Sequence, residues 1–336
     1  MSIIDLRSDT VTLPPEEMIH AMVQAPLGDD VFGEDPSINQ LEHYAAELSG
    51  KEAALYVPSG TMGNLIAVLV HCQRGDEVIL GNKSHTFIYE CGGISSIGGV
   101  HSHQLPNESD GTILLDNIQK AIRLDNIHFP NTALISLENT HNVCNGNPIS
   151  TQYVNSVCKI AKTKNIKVHI DGARIWNASI SLNEPLDSML KNVNSISFCL
   201  SKALSCPIGS VLCGTNEFIS NARKIRKALG GGMRQAGIIA SAGTWALKNM
   251  FKQIKKDHEH AQQLALGLEK IEWINIKANQ IKTNIVYFSV NFQLMNKDKI
   301  ITHLLKNGIK ILHVNENIFR MVTHYGITKN DINFTL

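Results

Sequence analysis

With 336 residues, 43% of them hydrophobic, and a formal net charge of +1, the chain has the balance of a globular protein with a large core, without the excess basic charge that polyanion binding uses. Seven cysteines with no CxxC pair speak against a disulfide framework or a zinc knuckle; Cys199, Cys206 and Cys213 read as small apolar fillers in or beside strands. The start, MSIIDLRSDTVTLPPEE, lacks a cationic segment followed by an apolar block, and no apolar run reaches membrane-spanning length, so the expected location is the cytoplasm, with neither nucleic acid nor membrane as partner.

In chain order, residues 1–13 read as an extended arm, and Pro14 or Pro15 opens a helix to about Ala25 with Met18 and Met22 on one face. The acidic, glycine-punctuated loop GDDVFGED leads to a second helix from Pro36 to about Leu48, closed by Gly50. Ala54–Val57 is a short strand ending in PSGTMGN, after which Asn64–His71 has helical spacing. Ser59, Gly60 and Thr61 stand where that loop meets the helix and offer free backbone N–H groups, a hydroxyl and the positive dipole end, a phosphate cradle if they are not simply a helix cap.

Strands at Val78–Leu80, Val100–Gln104 and Leu134–Leu137 then alternate with helices at Thr86–Cys91, Leu115–Leu124 and Thr151–Lys164. Beyond the central stretch, Gly209–Cys213 reads as a strand, Glu217–Leu229 as a basic helix, GGGMR as a hinge or ligand loop, and Gln235–Glu269 as one long helix ending the large domain. The remainder reads as strands at Trp273–Ile276, Ile285–Val290, Ile309–Leu312 and Ile318–Val322 with a helix at Lys297–Lys306. The division expected is an arm over 1–13, a large domain over 14–270 and a small C-terminal α+β domain over 271–336.

The chemistry concentrates between Lys167 and Leu204. Two apolar runs, Val168–Ile170 and Ser195–Leu200, each give way to polar residues, Asp171 and Arg174 after the first and Ser201 and Lys202 after the second. As parallel neighbours they would bring Asp171 and Lys202 to one carboxyl edge, where open α/β sheets bind ligands. Alone, Asp171 reads equally as a helix cap and Lys202 as a solvated strand end. Together with Arg174 they suit pyridoxal phosphate: the lysine amine forms a Schiff base with its aldehyde, the aspartate keeps its pyridine nitrogen protonated, and the arginine grips a substrate carboxylate.

The segments IDLRSDTVT, GDDVFGEDP, LSGKEAALYVPSGTMGN, ISLENTHN, VHIDGARIWNA, LSKAL and GGGMRQAG, in this order over residues 3–326, closely resemble the low-specificity L-threonine aldolases, pyridoxal-phosphate enzymes of fold type I. The resemblance implies an α/β fold, a large domain with a mostly parallel central sheet flanked by helices plus the small C-terminal domain. It implies Lys202 as the Schiff-base lysine, Asp171 as partner of the pyridine nitrogen, and Gly60 and Thr61 as phosphate ligands, to which the cradle and the strand end add Ser59 and Ser201 as cofactor-binding candidates. It makes Ser8, Arg174 and Arg320 the substrate-carboxylate binders and His85 the ring stacked on the cofactor. Arg234, with Lys227 as a second candidate, would reach the phosphate from a neighbouring subunit, and His128 would stand near the substrate hydroxyl.

The activity so implied is retro-aldol cleavage of L-threonine or L-allo-threonine to glycine and acetaldehyde by a homotetramer with its active site at a dimer interface. Such cleavage needs a proton taken from the β-hydroxyl, and His85 and His128 both titrate in the right range to serve, directly or through a water. A transaminase or β-eliminating lyase of the same fold, or a cofactor-binding protein without turnover, are the alternatives. His101-x-His103 and His258-x-His260 lack a third ligand at metal spacing, so no metal is expected. Arg223, Lys224, Arg226 and Lys227 read as a cationic helix face, solvated unless one of them turns toward a phosphate. Three departures from the family pattern stand out: Ala203 and Ser205 where small glycines usually follow the lysine, VCNGN without paired glycines after ENTHN, and an end at Leu336 a few residues into the implied closing helix, whose expected effect is on stability because Arg320 precedes it.

Overall fold

A computed structural model describes residues 3–336 apart from 292 and 294, so the first two residues of the expected arm lie outside the described residues. The chain opens on β1 (Ile4–Asp5), a 3-10 turn at Asp9–Val11 and α1 (Glu16–Val23), followed by α2 (Pro36–Ser49), which Asp35 caps by accepting from the backbone N–H groups of Ser37 and Ile38. Then come β2 (Ala53–Val57), α3 (Gly60–His71), β3 (Glu77–Gly81), the single turns α4 (His85–Ile88) and α5 (Gly93–Ser96), and β4 (His101–Leu105). α6 (Leu115–Ala121), β5 (Thr132–Glu138), α7 (Thr151–Thr163), β6 (Lys167–Asp171), α8 (Ile175–Leu182), α9 (Leu186–Leu190) and β7 (Ser195–Cys199) complete the central run.

The connection 200–209 is too short for a crossover helix, so β8 (Ser210–Gly214) returns antiparallel beside β7. The seven-stranded sheet runs β2-β8-β7-β6-β5-β3-β4. β7, β6, β5, β3 and β4 are mutually parallel, and β2, antiparallel to β8, points the same way as they do. This is the expected α/β architecture with a mostly parallel sheet. The carboxyl ends of β2, β3, β5, β6 and β7 therefore meet at one edge, and helices cover both faces, which is why β3, β7 and β8 are buried at every position.

α10 (Asn216–Ala228) precedes an element that differs from the sequence expectation. The stretch expected as a single helix over Gln235–Glu269 is two, α11 (Gly237–Asn249) and α12 (Phe251–Leu268), parted at Met250. No proline marks the break; α11 packs on α1 and α2 while α12 turns to α8 and later elements, so packing partners change where periodicity does not.

β9 (Ile274–Asn275), β10 (Ile285–Val290), α13 (Lys297–Lys306), β11 (Ile309–Lys310), β12 (Leu312–Asn315), β13 (Ile318–Val322) and α14 (Lys329–Thr335) close the chain. Four of these strands form an antiparallel sheet in the order β12-β13-β10-β9. The expected strand Ile309–Leu312 divides, because β11 pairs with the distant β1 in parallel while β12 pairs with β13. A second hydrophobic core here takes Ile4 and Leu6 from the arm and Ala261, Leu264 and Leu268 from α12. No helix among the described residues is long and apolar enough to cross a membrane.

Candidate active site

Four strand ends build the site. Asp171 is the last residue of β6, buried, with Oδ1 accepting from the Ala173 N–H at 3.2 Å while Oδ2 has no hydrogen-bond partner among the described residues. Lys202, half-buried, follows the parallel neighbour β7 in the same loop as Ser201. Its carbonyl accepts from the Ser205 N–H at 2.8 Å, a turn that puts Ser205 at φ 60°.

After β2, Ser59 caps α3 by accepting from the Met62 N–H at 3.2 Å, so the helix starts at Gly60 and its first free N–H groups face the edge. At Gly60 a Cβ would stand 2.9 Å from Cys199 Sγ, so only glycine lets the helix start come this close to the end of β7. Thr61 lies exposed beside it.

After β3, His85 opens α4. Its backbone N–H donates to Glu138 Oε2 at 2.7 Å and its Nδ1 lies 2.9 Å from Glu90 Oε1. Burial alone would lower the His85 imidazole, but the hydrogen bond to Glu90 and the charges of Asp171 and Glu90 overcome it and leave it raised. Ligand-type atoms of His85, Glu90 and Asp171 converge within 4.8 Å of one another; the contact already made between Nδ1 and Oε1 is that of an acid–base pair.

The arm supplies the other wall. Ser8 accepts from Thr10 Oγ1 at 2.9 Å, and next to it Asp9 is fully buried against Arg174, whose Nε and Nη2 donate to its two oxygens at 2.8 and 2.7 Å. Burial would raise the Asp9 carboxyl; the Arg174 guanidinium holds it well below the usual carboxylate range. Two of the three Arg174 nitrogens are thus engaged, so the expected two-point grip on a ligand carboxylate through them would have to displace Asp9. Arg320, on β13, donates from Nη1 to Asn142 Oδ1 and from Nη2 to the Arg7 carbonyl, each at 3.0 Å, and its buried Nε has no partner among the described residues.

Three of the residues singled out from the sequence stand elsewhere. His128 lies exposed on the loop before β5, and β5 runs from the opposite edge of the sheet to this one, so seven residues of strand, roughly 23 Å, separate that edge from the site. It is not part of this chain's own cleft. Lys227 is exposed on α10, and Arg234 turns onto Asp29, Nη1 to Oδ2 at 3.0 Å.

The residues missed are those that hold others in place. Glu138 ties together His85 and, through the Asn142 N–H at 2.8 Å, the residue that holds Arg320; Asp9, Asn64 and Glu90 complete the set. His101 and His103, on β4, do meet an acid, Glu77, at 3.8 and 3.1 Å, but Arg123 shares that carboxylate and its positive charge disfavours a metal ion there.

A pyridine N–H would complete Asp171 Oδ2, the α3 start can take a phosphate, and a primary amine stands at the same edge, so the residues present fit pyridoxal phosphate.

A family model described as beta-eliminating lyase matches residues 5–291. The chain is 45% identical to low-specificity L-threonine aldolase 1 of Arabidopsis thaliana over 340 residues, covering 100% of this chain and 95% of that protein. It is 40% identical to the low specificity L-threonine aldolase of Escherichia coli K12 over 332 residues, covering 98% and 96%. Among solved structures, a putative L-allo-threonine aldolase from Listeria monocytogenes superposes with a TM-score of 0.83 at 17% identity, covering 99% of this chain and 94% of that one. Leishmania major threonine aldolase gives 0.82 at 20% identity, covering 99% and 97%.

Proposed function

Because the chain belongs to the low-specificity L-threonine aldolases of the beta-eliminating lyase family, we propose that it cleaves L-threonine, L-allo-threonine and related β-hydroxy-α-amino acids to glycine and an aldehyde. The observation that carries this reading is the buried Asp171 Oδ2, without a partner among the described residues, at the same sheet edge as Lys202. Bound there, pyridoxal phosphate supplies a carbonyl that condenses with the substrate amine and a protonated ring that takes up the electron pair of the broken Cα–Cβ bond.

Around it, Lys202 tethers the cofactor between turnovers, Asp171 keeps the ring nitrogen protonated, and Ser59, Gly60, Thr61 and Ser201 hold the phosphate end. Ser8 and Arg320 receive the substrate carboxylate, Arg320 through its spare Nε, and Arg174 braces the arm through Asp9. His85 takes the β-hydroxyl proton, directly or through a water; the Cα–Cβ bond breaks, the aldehyde departs, and Cα regains a proton to give glycine. In our reading His128, Lys227 and Arg234 serve the site of a neighbouring subunit in a homotetramer. The exposed Leu124 and Ile127 beside His128, 74% and 98% accessible, support an apolar contact with another copy.

The test is direct. Purified protein loaded with pyridoxal phosphate should release glycine and acetaldehyde from threonine, and Lys202→Ala should lower the rate by at least about a thousandfold. Folded, cofactor-loaded wild type that yields glycine from neither threonine nor allo-threonine overturns the reading. 2-Oxobutyrate and ammonia in place of glycine would assign β-elimination, the chemistry in the family's description, and a new amino acid formed from an added 2-oxo acid would assign transamination.

A further inference from the structure

Behind His85 lies a string of buried polar side chains that the cleavage described above does not employ. The Glu90 oxygen that meets His85 Nδ1 also accepts from Asn64 Nδ2 at 2.9 Å. Asn64 Oδ1 faces Ser197 Oγ at 2.5 Å and His169 Nε2 at 3.3 Å. His169 Nδ1 meets Ser195 Oγ at 2.9 Å, and that hydroxyl meets His71 Nε2 at 2.8 Å. α3, β6 and β7 supply these residues apart from Glu90, which sits in the turn between α4 and α5, and Asn64, Glu90, His169 and both serines are buried.

The donors and acceptors allow one consistent direction. Burial lowers His169 to about 3 and His71 to about 4, so near neutral pH each ring is uncharged and carries a single N–H. Asn64 must turn its NH2 toward the Glu90 carboxylate, which leaves its Oδ1 as an acceptor only. His169 then carries its proton on Nε2 and accepts at Nδ1 from Ser195, which in turn accepts from His71. Every donor along the string points at Glu90, and a carboxylate so placed is complemented by an N–H at His85 Nδ1.

We infer that Glu90 is a positioning residue that keeps a proton on His85 Nδ1 and leaves Nε2 as the atom that exchanges protons, with Asn64 and His169 fixing Glu90 from behind. The inference rests on His85 acting in the cleavage and deepens that reading. The groups facing the imidazole are Glu90, the Asp171 carboxylate, the Lys202 amine and the Tyr89 ring, whose centroid is 5.5 Å away. Two negative groups against one cation favour a ring that holds its second proton to higher pH than a free histidine, and burial of Glu90 makes that carboxyl a strong proton acceptor itself.

Histidine-labelled, cofactor-loaded full-length protein tests this by NMR, with the His85 signal assigned by its loss in His85→Asn. In the wild type, Nδ1 should stay protonated across the titration and only Nε2 should change. In Glu90→Gln the ring should titrate lower by about one pH unit, and the acid limb of kcat/KM should move with it; Glu90→Asp, which keeps the charge, should recover most of that shift. A wild-type ring that is bare at Nδ1 and protonated at Nε2 at high pH overturns the inference, and so does an unchanged titration in Glu90→Gln. Should Glu90→Gln not fold, the wild-type tautomer decides alone. Wild-type activity in His85→Asn would instead refute the role of His85 in the cleavage, leaving the tautomer measurement to judge Glu90 separately.

Discussion

Ser205 occupies a left-handed conformation, φ 60°, at the third position after Lys202, where its N–H closes the turn onto the Lys202 carbonyl. A side chain there costs about 1–2 kcal/mol, and its hydroxyl is buried with no partner among the described residues, which adds a cost of about 1 kcal/mol or more. Glycine would remove both, against about 0.4–1 kcal/mol for the extra freedom it gives the unfolded chain. Ser205→Gly should therefore stabilise the protein by about 1 kcal/mol in denaturant unfolding; a loss of stability would show that the hydroxyl has a partner in solution. The departure at VCNGN is milder, since Asn145 and Gly146 take positive φ and asparagine tolerates that region. At this scale Asp171 and Lys202 were legible because each ends an apolar run. Asp9 was not, because nothing in RSDT shows that its partner Arg174 stands 165 positions away, nor does the spacing of five between His85 and Glu90 belong to any helical pattern.

Most elements could be read from the sequence wherever apolar runs were bounded by proline, glycine or caps: α2, β10, α13 and β13 are found at or within a residue of the expected ends. What could not be read depends on neighbours. The bend at Met250, the split of Ile309–Leu312 and the antiparallel β8 follow from packing and pairing, and the first of these has no local signal at all. Sheet direction also decides His128, whose residue type suits a base but whose strand begins at the wrong edge. The approach of α3 to β7 gives a test at this scale. Gly60→Ala should push the helix start away from Cys199 and weaken pyridoxal phosphate binding by about tenfold, and Cys199→Ala in the same chain should restore part of it. Equal affinity of Gly60→Ala and wild type would show that the helix start does not hold the phosphate.

The two hydrophobic cores meet at a polar junction. Asn284 donates to Asp9 and to the Thr323 carbonyl, Asn177 donates to Asn284, and Thr323 Oγ1 donates to the carbonyl of Asp257 on α12. Asp257 is fully buried, with Oδ1 accepting from Gln253 and Oδ2 without a partner among the described residues, and burial raises its carboxyl to about 7. A raised carboxyl contributes stability at low pH that is lost as pH climbs from the ordinary aspartate range through about 7, because the unfolded chain ionises first. Asp257→Asn removes that loss, so its stability advantage over wild type should grow between pH 5 and pH 8 in thermal unfolding; an advantage independent of pH would mean that Asp257 is ionised in the folded protein throughout. Asp9 works in the opposite sense, its stabilising pair with Arg174 being lost only as pH falls below the usual carboxylate range.

The pairing of β1 with β11 joins Ile4 to Ile309 and Asp5 to Lys310. During translation the first of these partners leaves the ribosome about three hundred residues before the second, and at ordinary elongation speeds that interval is tens of seconds. Arg174 can hold the arm through Asp9 before then, but Arg320, which we propose receives the substrate carboxylate with Ser8, follows β11, so a nascent chain can complete its central sheet while that wall of the cleft is still missing. On that reading, closure of the cleft is one of the last events of synthesis, and a ribosome stalled before residue 309 would carry a folded sheet with the cleft still open on this side.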